Sequence, residues 1–240
     1  MLDGATARTD TGCQHGVSWY AAHLGAALSE GAHDVNQSLP HVLSMGIERV
    51  ASLHPSCDLT HEGTPSAAVA IVRIAGDWAE YLVLGDVSVV FDDGNDPIVV
   101  SDERVSQTAL VERRAADAHP IGTAKKQQAM IRMKHAELAM RNRHGGYWIA
   151  AADPSVAEHA LIGRLPEASL RRFAVLTDGA ARAISPFNEM EWRDLLDLAE
   201  AESPESVLRR VRAAEAADPY GIRWPRNKRS DDATIAFATK

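Results

Sequence analysis

The chain has 240 residues, of which 45% are apolar and 24% charged, and its 25 lysines and arginines against 33 aspartates and glutamates give a formal net charge of −8. This negative balance argues against nucleic acid as the main partner, because phosphate backbones are bound by basic surfaces. No run approaches the ~18 apolar residues of a membrane span, and the N-terminus lacks the pattern of a secretory signal. Cys13 and Cys57 are too few for a disulfide framework, so we expect a cytoplasmic protein.

The first hundred residues show two helical segments followed by strands. Apolar residues recur at helical spacing over residues 13–30 and 36–54, which predicts two helices with apolar stripes packed in a core. After residue 66, β-branched and apolar runs alternate with turn residues, which predicts four strands in an antiparallel meander. These strands are predicted at 67–74, 79–84, 87–91 and 98–100.

The rest of the chain mixes helices with short strands. The patterns predict helices over 124–144, 189–200 and 204–217, and strands over 147–150, 160–162, 173–177 and 234–238. Ser203 is the predicted N-cap of the last helix, and Pro204 is its first helical residue. Strands interrupted by paired helices, without strict alternation, favour an α+β fold of antiparallel sheets covered by helices. At this length, one large domain and two smaller ones are both compatible with the sequence.

Four aspartates stand at the ends of short apolar runs in distant parts of the chain: Asp3, Asp86, Asp178 and Asp231. Strands that each deliver a carboxylate at one end can assemble an oxygen-only site for a hard divalent cation. An aspartate before glycine is also a common turn residue, because Asp hydrogen-bonds its own backbone and Gly accepts positive φ. The pattern points to metal-assisted chemistry, and turn formation stays open as the alternative.

Five short motifs occur in an order that resembles the protein phosphatase 2C family of metal-dependent serine/threonine phosphatases. They are Leu-Asp-Gly at 2–4, Gly-Thr-Pro-Ser-Ala at 63–67, Leu-Gly-Asp at 84–86, Leu-Thr-Asp-Gly at 176–179 and Asp-Asp-Ala-Thr at 231–234. The resemblance covers essentially the whole chain and implies a single domain over residues 1–240. It also implies a four-layer α-β-β-α sandwich, in which two antiparallel sheets are covered by helices.

The resemblance further implies a site with two Mg or Mn ions at one end of the sheets. Asp3 would bridge both ions, and the carbonyl of Gly4 would ligate one of them. Asp178 and Asp231 would hold the other ion, and Asp86 matches a position near a weaker third ion. A water bridging the two ions would attack phosphorus as the nucleophile. The implied substrate is a protein phosphorylated on serine or threonine.

The chain departs from the family pattern at positions that bind phosphate. Members of the family usually carry an Asp on a strand before the Asp-Gly motif, together with an Arg that binds the phosphate. This sequence begins too late to contain either residue. The acidic residue often found four positions after the Leu-Thr-Asp-Gly aspartate is here Arg182. Arg8, Arg182 and Arg229 are therefore the candidates for phosphate binding. The alternative function is a catalytically inactive regulatory or binding module.

The histidines and cysteines indicate no second site. The ten histidines show no spacing typical of zinc ligands, and Cys13-Gln14-His15 lacks a second ligand pair. His15, His23 and His135 fall in predicted helices and are interpreted as packing or surface residues. The sequence contains neither the Gly-x-Ser-x-Gly elbow of serine hydrolases nor the Gly-x-x-x-x-Gly-Lys-Ser/Thr loop of nucleotide-binding proteins.

Overall fold

The computed structural model describes every residue from Met1 to Lys240, and the chain divides into two compact units. Unit 1 comprises Met1–Val87, Ser101–Thr108 and Leu138–Ser169. Unit 2 comprises Ser88–Val100, Ala109–Glu137 and Leu170–Lys240. Each unit is built on a four-stranded antiparallel sheet with associated helices, so the predicted α+β fold class is confirmed.

The chain forms eight strands and seven α-helices. In chain order they are β1 (Leu2–Gly4), α1 (Gly16–Gly31), α2 (Leu39–Ser52), β2 (Ala67–Ala75), β3 (Trp78–Leu84), β4 (Ser88–Asp92), β5 (Ile98–Ser101), α3 (Leu110–Asp117), α4 (Ala124–Ala139), β6 (Leu161–Pro166), β7 (Arg172–Leu176), α5 (Asp178–Ala181), α6 (Trp192–Ala201), α7 (Pro204–Ala217) and β8 (Ile235–Thr239). No helix combines the length and the apolar character needed to cross a membrane.

Helices α1 and α2 cover the sheet of unit 1, whose strand order is β1-β2-β3-β6. Leu24 of α1 and Leu43 of α2 share one buried core with Val69 and Leu82 of the strands. Ser38 caps α2, because its hydroxyl accepts the N–H of the third helical residue at 3.4 Å. Apolar residues at helical spacing thus cover apolar strands, as the periodicity predicts.

Helices α6 and α7 pack in the same way on the sheet of unit 2, whose strand order is β5-β4-β7-β8. Val90 and Leu176 of the strands form one core with Leu195 of α6 and Val211 of α7. Helix α7 begins after Ser203 as predicted, although the serine side chain makes no capping hydrogen bond. A smaller core joins α3 to α4.

Several predicted elements differ from the structure. The meander is two separate hairpins, because β2 and β3 belong to one sheet and β4 and β5 to the other. Residues 147–150 form only isolated bridges, and helix α4 ends before Asn142, whose φ of 51° is incompatible with a continuing helix. Helix α3 was not predicted, because it buries a single residue, Ala116, and so shows no apolar stripe.

An ion-pair network around the buried Arg172 connects β4 to β7 and to α6. Arg172 lies opposite Asp92 in the strand register, and its Nε donates to Asp92 Oδ2 at 2.8 Å. The same guanidinium donates to Asp197 at 2.5 Å and to Glu200 at 2.7 Å. Burial alone would raise the pKa of Asp92, but hydrogen bonds from the Gly94 N–H and from Arg172 outweigh burial and lower it.

Replacing Asp92 with Asn should lower the free energy of unfolding by about 1.5–3 kcal/mol at pH 7, because Arg172 loses its buried carboxylate partner and keeps only the exposed Asp197 and Glu200. The folded-state pKa of Asp92 lies below its unfolded value of about 4, so this stabilisation is present above pH ~4 and is lost as the pH falls through the folded-state pKa. Urea unfolding of both proteins at pH 7 and pH 3 measures the difference. The control Asp96→Asn changes an exposed carboxylate and should stay within about 0.5 kcal/mol of wild type. Equal stability of Asp92→Asn and wild type at pH 7 would contradict the prediction.

Candidate metal centre

Asp3 and Asp86 lie on either side of the first residues of β2 in unit 1. Asp3 pairs with Ala68 in the strand register. Gly85, which precedes Asp86, packs on the same alanine, and a Cβ built on this glycine would lie 2.8 Å from the Ala68 Cβ. Because neighbouring strands are about 4.8 Å apart, the backbones at Asp3 and Asp86 are roughly 10 Å apart across β2. Unit 1 therefore brings two predicted ligands to the same end of β2.

The glycines of the two Asp-Gly motifs do not serve as turn residues. Neither Gly4 nor Gly179 has a positive φ. A Cβ at Gly4 would lie 2.6 Å from Val17 Cγ1, and a Cβ at Gly179 would lie 2.0 Å from the carbonyl oxygen of Asp232. Position 179 therefore requires glycine because the Asp232 backbone approaches closely, whereas a Cβ at position 4 would require the Val17 side chain to move. Gly85 differs, because its φ of +83° gives the Leu-Gly-Asp motif the geometry of a turn.

The structure brings Asp178 beside Asp231 in unit 2. Asp178 is the first residue of α5 and follows β7 after one residue, Thr177. The N–H of Thr177 donates to the Thr234 carbonyl at 3.1 Å, and the N–H of Thr234 donates to the Thr177 hydroxyl at 3.0 Å. A Cβ at Gly179 would lie 3.1 Å from the Asp231 Cβ. These contacts hold two predicted ligands in adjacent segments at the end of the sheet.

Cations bind both carboxylate oxygens of Asp231. Arg182 Nη2 donates to Oδ2 at 2.6 Å, and Lys228 Nζ donates to Oδ1. Arg182 Nη1 also donates to Glu215 Oε1 at 2.9 Å, so one guanidinium is shared between two carboxylates. The side chains of Arg182 and Lys228 are 9% and 30% exposed, respectively. Lys228 is therefore the partner that can leave Asp231 more easily.

Glu215 anchors this network from helix α7. It is buried, and its second oxygen accepts from Arg212 Nη1 at 2.6 Å. Burial alone would raise the pKa of Glu215, but hydrogen bonds from Arg212 and Ser230 outweigh burial and lower it. Glu215 is therefore anionic at neutral pH and keeps the Arg182 guanidinium in place.

The three arginines predicted to bind phosphate lie in different surroundings. Arg229 is exposed and Arg8 is half-buried in the loop after β1, whereas Arg182 is buried between its two carboxylate partners. Arg226, in the basic stretch before Asp231, is also buried, and it donates to the Asp218 carboxylate at 3.2 Å. The basic stretch is thus partly structural, and Arg229 is its exposed cation nearest in sequence to Asp231.

Sequence reasoning overlooked two features. Glu215 belongs to no motif, and nothing in the pattern of α7 indicates its contact with Arg182. The prediction that Cys13-Gln14-His15 lacks a second ligand pair is wrong, because His54 and Cys57 lie against it. A search for mixed Cys/His pairs on both sides of a helical hairpin would have found this group.

Comparison with known proteins identifies a family. A family model described as "Protein phosphatase 2C" matches residues 1–215. No curated protein sequence matches the chain. Among solved structures, the chain is similar to the serine/threonine phosphatase Stp1 from Staphylococcus aureus, with a TM-score of 0.57 and 8% identity over 100% of this chain and 82% of that chain.

Three further structures show the same fold. The serine/threonine phosphatase PstP from Mycobacterium tuberculosis has a TM-score of 0.54 and 14% identity over 99% of this chain and 86% of that chain. A structure of the PstP catalytic domain is a complex with two manganese ions. A C. elegans sex-determining protein has a TM-score of 0.53 and 15% identity over 98% of this chain, and the match spans 54%, about half, of that chain. At these identities the likeness shows the fold alone.

Replacing Lys228 with Met should tighten Mn²⁺ binding up to about fivefold, because a partly exposed ion pair worth up to about 1 kcal/mol no longer competes for Asp231. Isothermal titration calorimetry of both proteins measures the change. Lys125→Met is the matched control, since it removes the same charge from an exposed position on α4. Unchanged or weaker Mn²⁺ binding by Lys228→Met would show that the ion does not reach Asp231.

Proposed function

Because the chain belongs to the protein phosphatase 2C family, we propose that it is a metal-dependent phosphomonoester hydrolase that acts on phosphoserine or phosphothreonine in proteins. The close approach of Gly179, the residue after Asp178, to the Asp231–Asp232 backbone supports the proposal, since a Cβ at Gly179 would lie 3.1 Å from the Asp231 Cβ. Turn formation does not account for this arrangement, because the φ of Gly179 is not positive.

The proposed ligands are all oxygen donors. Asp3 and the carbonyl of Gly4 contribute from β1. Asp178 and Asp231 contribute from the segments at the adjoining ends of β7 and β8, and Asp86 is the candidate for a third ion. An oxygen-only set with several carboxylates fits Mg²⁺ or Mn²⁺. When bound, such ions would lower the pKa of a water molecule and neutralise phosphoryl charge.

The surrounding cations have separate tasks in this proposal. Arg182 stays between Glu215 and Asp231 and orients the Asp231 carboxylate, because its own burial opposes any movement away from both anions. Lys228 leaves Asp231 when an ion binds there. Together with the exposed Arg229, it then supplies positive charge that attracts a phosphorylated substrate. Arg8, in the loop after β1, is the candidate for phosphate binding from unit 1.

Hydrolysis of p-nitrophenyl phosphate should require Mn²⁺ or Mg²⁺ and stop when a chelator is added, because the ions generate the nucleophile. Asp178→Asn should bind Mn²⁺ much more weakly and lose activity, since it removes an anionic ligand, while the metal-free fold keeps its melting temperature. Calorimetry with Mn²⁺, the phosphatase assay and thermal melts of the metal-free proteins measure these effects.

Asp77→Asn is the matched control, because it changes an exposed aspartate in the turn between β2 and β3 and should leave both activity and Mn²⁺ affinity unchanged. Activity that survives thorough chelation would overturn the metal-dependent mechanism. Unchanged Mn²⁺ affinity in Asp178→Asn would remove this residue from the ligand set.

A second candidate function is a catalytically inactive module that binds phosphoproteins or other partners. The ion pairs of Asp231 favour it, because Arg182 and Lys228 neutralise this carboxylate without a metal. In that case neither Mn²⁺ nor Mg²⁺ supports hydrolysis, and a phosphopeptide binds the chelated protein and Asp178→Asn with equal affinity. Metal-dependent hydrolysis by the wild-type protein would exclude this alternative.

A further inference from the structure

Two Cys/His pairs meet at the ends of helices α1 and α2 in unit 1. Cys13 and His15 lie immediately before α1, and His54 and Cys57 follow the end of α2. One potential ligand atom from each of these four residues lies within 4.8 Å of the others. The thiols are unlinked, with their sulfurs 3.5 Å apart. His15 Nδ1 lies 3.8 Å from Cys13 Sγ and 3.5 Å from Cys57 Sγ.

Three of these separations match the edges of a metal-centred tetrahedron. With zinc–sulfur bonds of about 2.3 Å and zinc–nitrogen bonds of about 2.0–2.1 Å, ligand atoms in a tetrahedral site lie about 3.3–3.8 Å apart. The three separations among Cys13 Sγ, His15 Nδ1 and Cys57 Sγ are 3.5, 3.5 and 3.8 Å. A ring nitrogen of His54 completes the group within 4.8 Å. Three donors thus already have tetrahedral spacing, and the fourth lies within 4.8 Å of each of them.

His54 provides an independent indication of a ligand. The residue is only 5% exposed, and its Nδ1 lies 2.8 Å from the Val50 carbonyl oxygen. A carbonyl only accepts hydrogen bonds, so Nδ1 carries the proton and Nε2 carries the lone pair. This Nε2 is fully buried and has no hydrogen-bond partner, an arrangement that costs about 1–3 kcal/mol. Coordination to a metal would remove that cost, and a histidine ligand commonly donates its other ring N–H to a carbonyl in this way.

The surroundings fix the donors in place. The His15 ring stacks on Trp19 with centroids 4.4 Å apart, and Trp19 contacts His54 edge-on at 4.5 Å. The backbone N–H of His15 donates to Cys13 Sγ at 3.4 Å. This hydrogen bond holds the Cys13 sulfur beside the His15 backbone.

We propose that Cys13, His15, His54 and Cys57 bind one Zn²⁺ ion in a closed tetrahedral site. Two thiolates and two imidazoles select zinc over Mg²⁺ or Mn²⁺, which prefer oxygen ligands. Four protein ligands leave no open coordination position, which is typical of a structural and not a catalytic zinc ion. Binding releases the proton of each thiol that is protonated in the metal-free protein. The site shares no ligand with the proposed phosphatase centre and does not depend on it.

The proposed zinc ion links two irregular segments of unit 1 to each other. Residues 5–14, which follow β1, contain no helix or strand. The same is true of residues 53–66, which follow α2. The N–H of Asp58 donates to the Gly12 carbonyl at 2.9 Å, and a Cβ at Gly63 would lie 2.1 Å from the carbonyl oxygen of Asp10. These contacts already align the segments, so a zinc crosslink stabilises a part of unit 1 that lacks the support of regular secondary structure.

Metal analysis of the full chain tests the proposal. Protein purified without chelator should contain about one zinc ion per chain by inductively coupled plasma mass spectrometry. Cys57→Ser and His54→Ala should lose this zinc, while His41→Asn, which changes an exposed histidine outside the cluster, should retain it. Wild-type protein without zinc, or variants with undiminished zinc, would overturn the proposal.

A second measurement does not depend on the folding of any variant. Wild-type protein stripped of metal under reducing conditions should bind Co²⁺ with the visible absorption bands of tetrahedral cobalt and a thiolate-to-cobalt charge-transfer band. Adding Zn²⁺ should abolish these bands and raise the melting temperature, whereas Mg²⁺ should do neither. Absence of the cobalt bands would overturn the proposal. Detection of a Cys13–Cys57 disulfide in protein that is alkylated directly on cell lysis would also overturn the proposal.

Discussion

The paired hydrogen bonds between Thr177 and Thr234 are the constraint on which the predicted carboxylate site depends. They bring together the segments at the adjoining ends of β7 and β8, which come from distant parts of the chain. The chain that continues past Thr177 then runs so close to the Asp231–Asp232 backbone that only glycine fits at position 179. Asp178 is delivered beside Asp231 as a consequence. The positions of the two carboxylate-bearing residues therefore depend on both the strand pairing and the glycine.

The charges around Asp231 differ in how firmly they are held. The Arg182–Glu215 pair is buried, and each partner makes a second ion pair, Arg182 with Asp231 and Glu215 with Arg212. Lys228 is partly exposed, so its release costs about 1 kcal/mol or less. An incoming cation would therefore exchange with Lys228 while Arg182 keeps Asp231 in place. The free energy of that exchange decides between the hydrolase and the inactive binding module.

Two sets of potential metal ligands differ in chemical type. The aspartates offer hard oxygen donors, which suit Mg²⁺ or Mn²⁺, and the Cys/His cluster offers sulfur and nitrogen donors, which suit zinc. Ligand chemistry thus separates the proposed reactive centre from the proposed structural one within a single chain. The buried and unpartnered Nε2 of His54 marks the second set, whereas the close approach of Gly179 marks the first.

The sequence by itself determined most of the helices and strands, the α+β fold class and the resemblance to the phosphatase 2C family, because periodicity and short motifs are properties of neighbouring residues. Tertiary structure alone decided which distant side chains meet. Nothing in the sequence indicates a partner for Arg182, but in the fold its guanidinium lies between Glu215 and Asp231. Cys13-Gln14-His15 is an isolated pair in the sequence, yet the packing of α1 against α2 brings His54 and Cys57 to it. Burial and helix packing depend on the whole core, so no local pattern carries them.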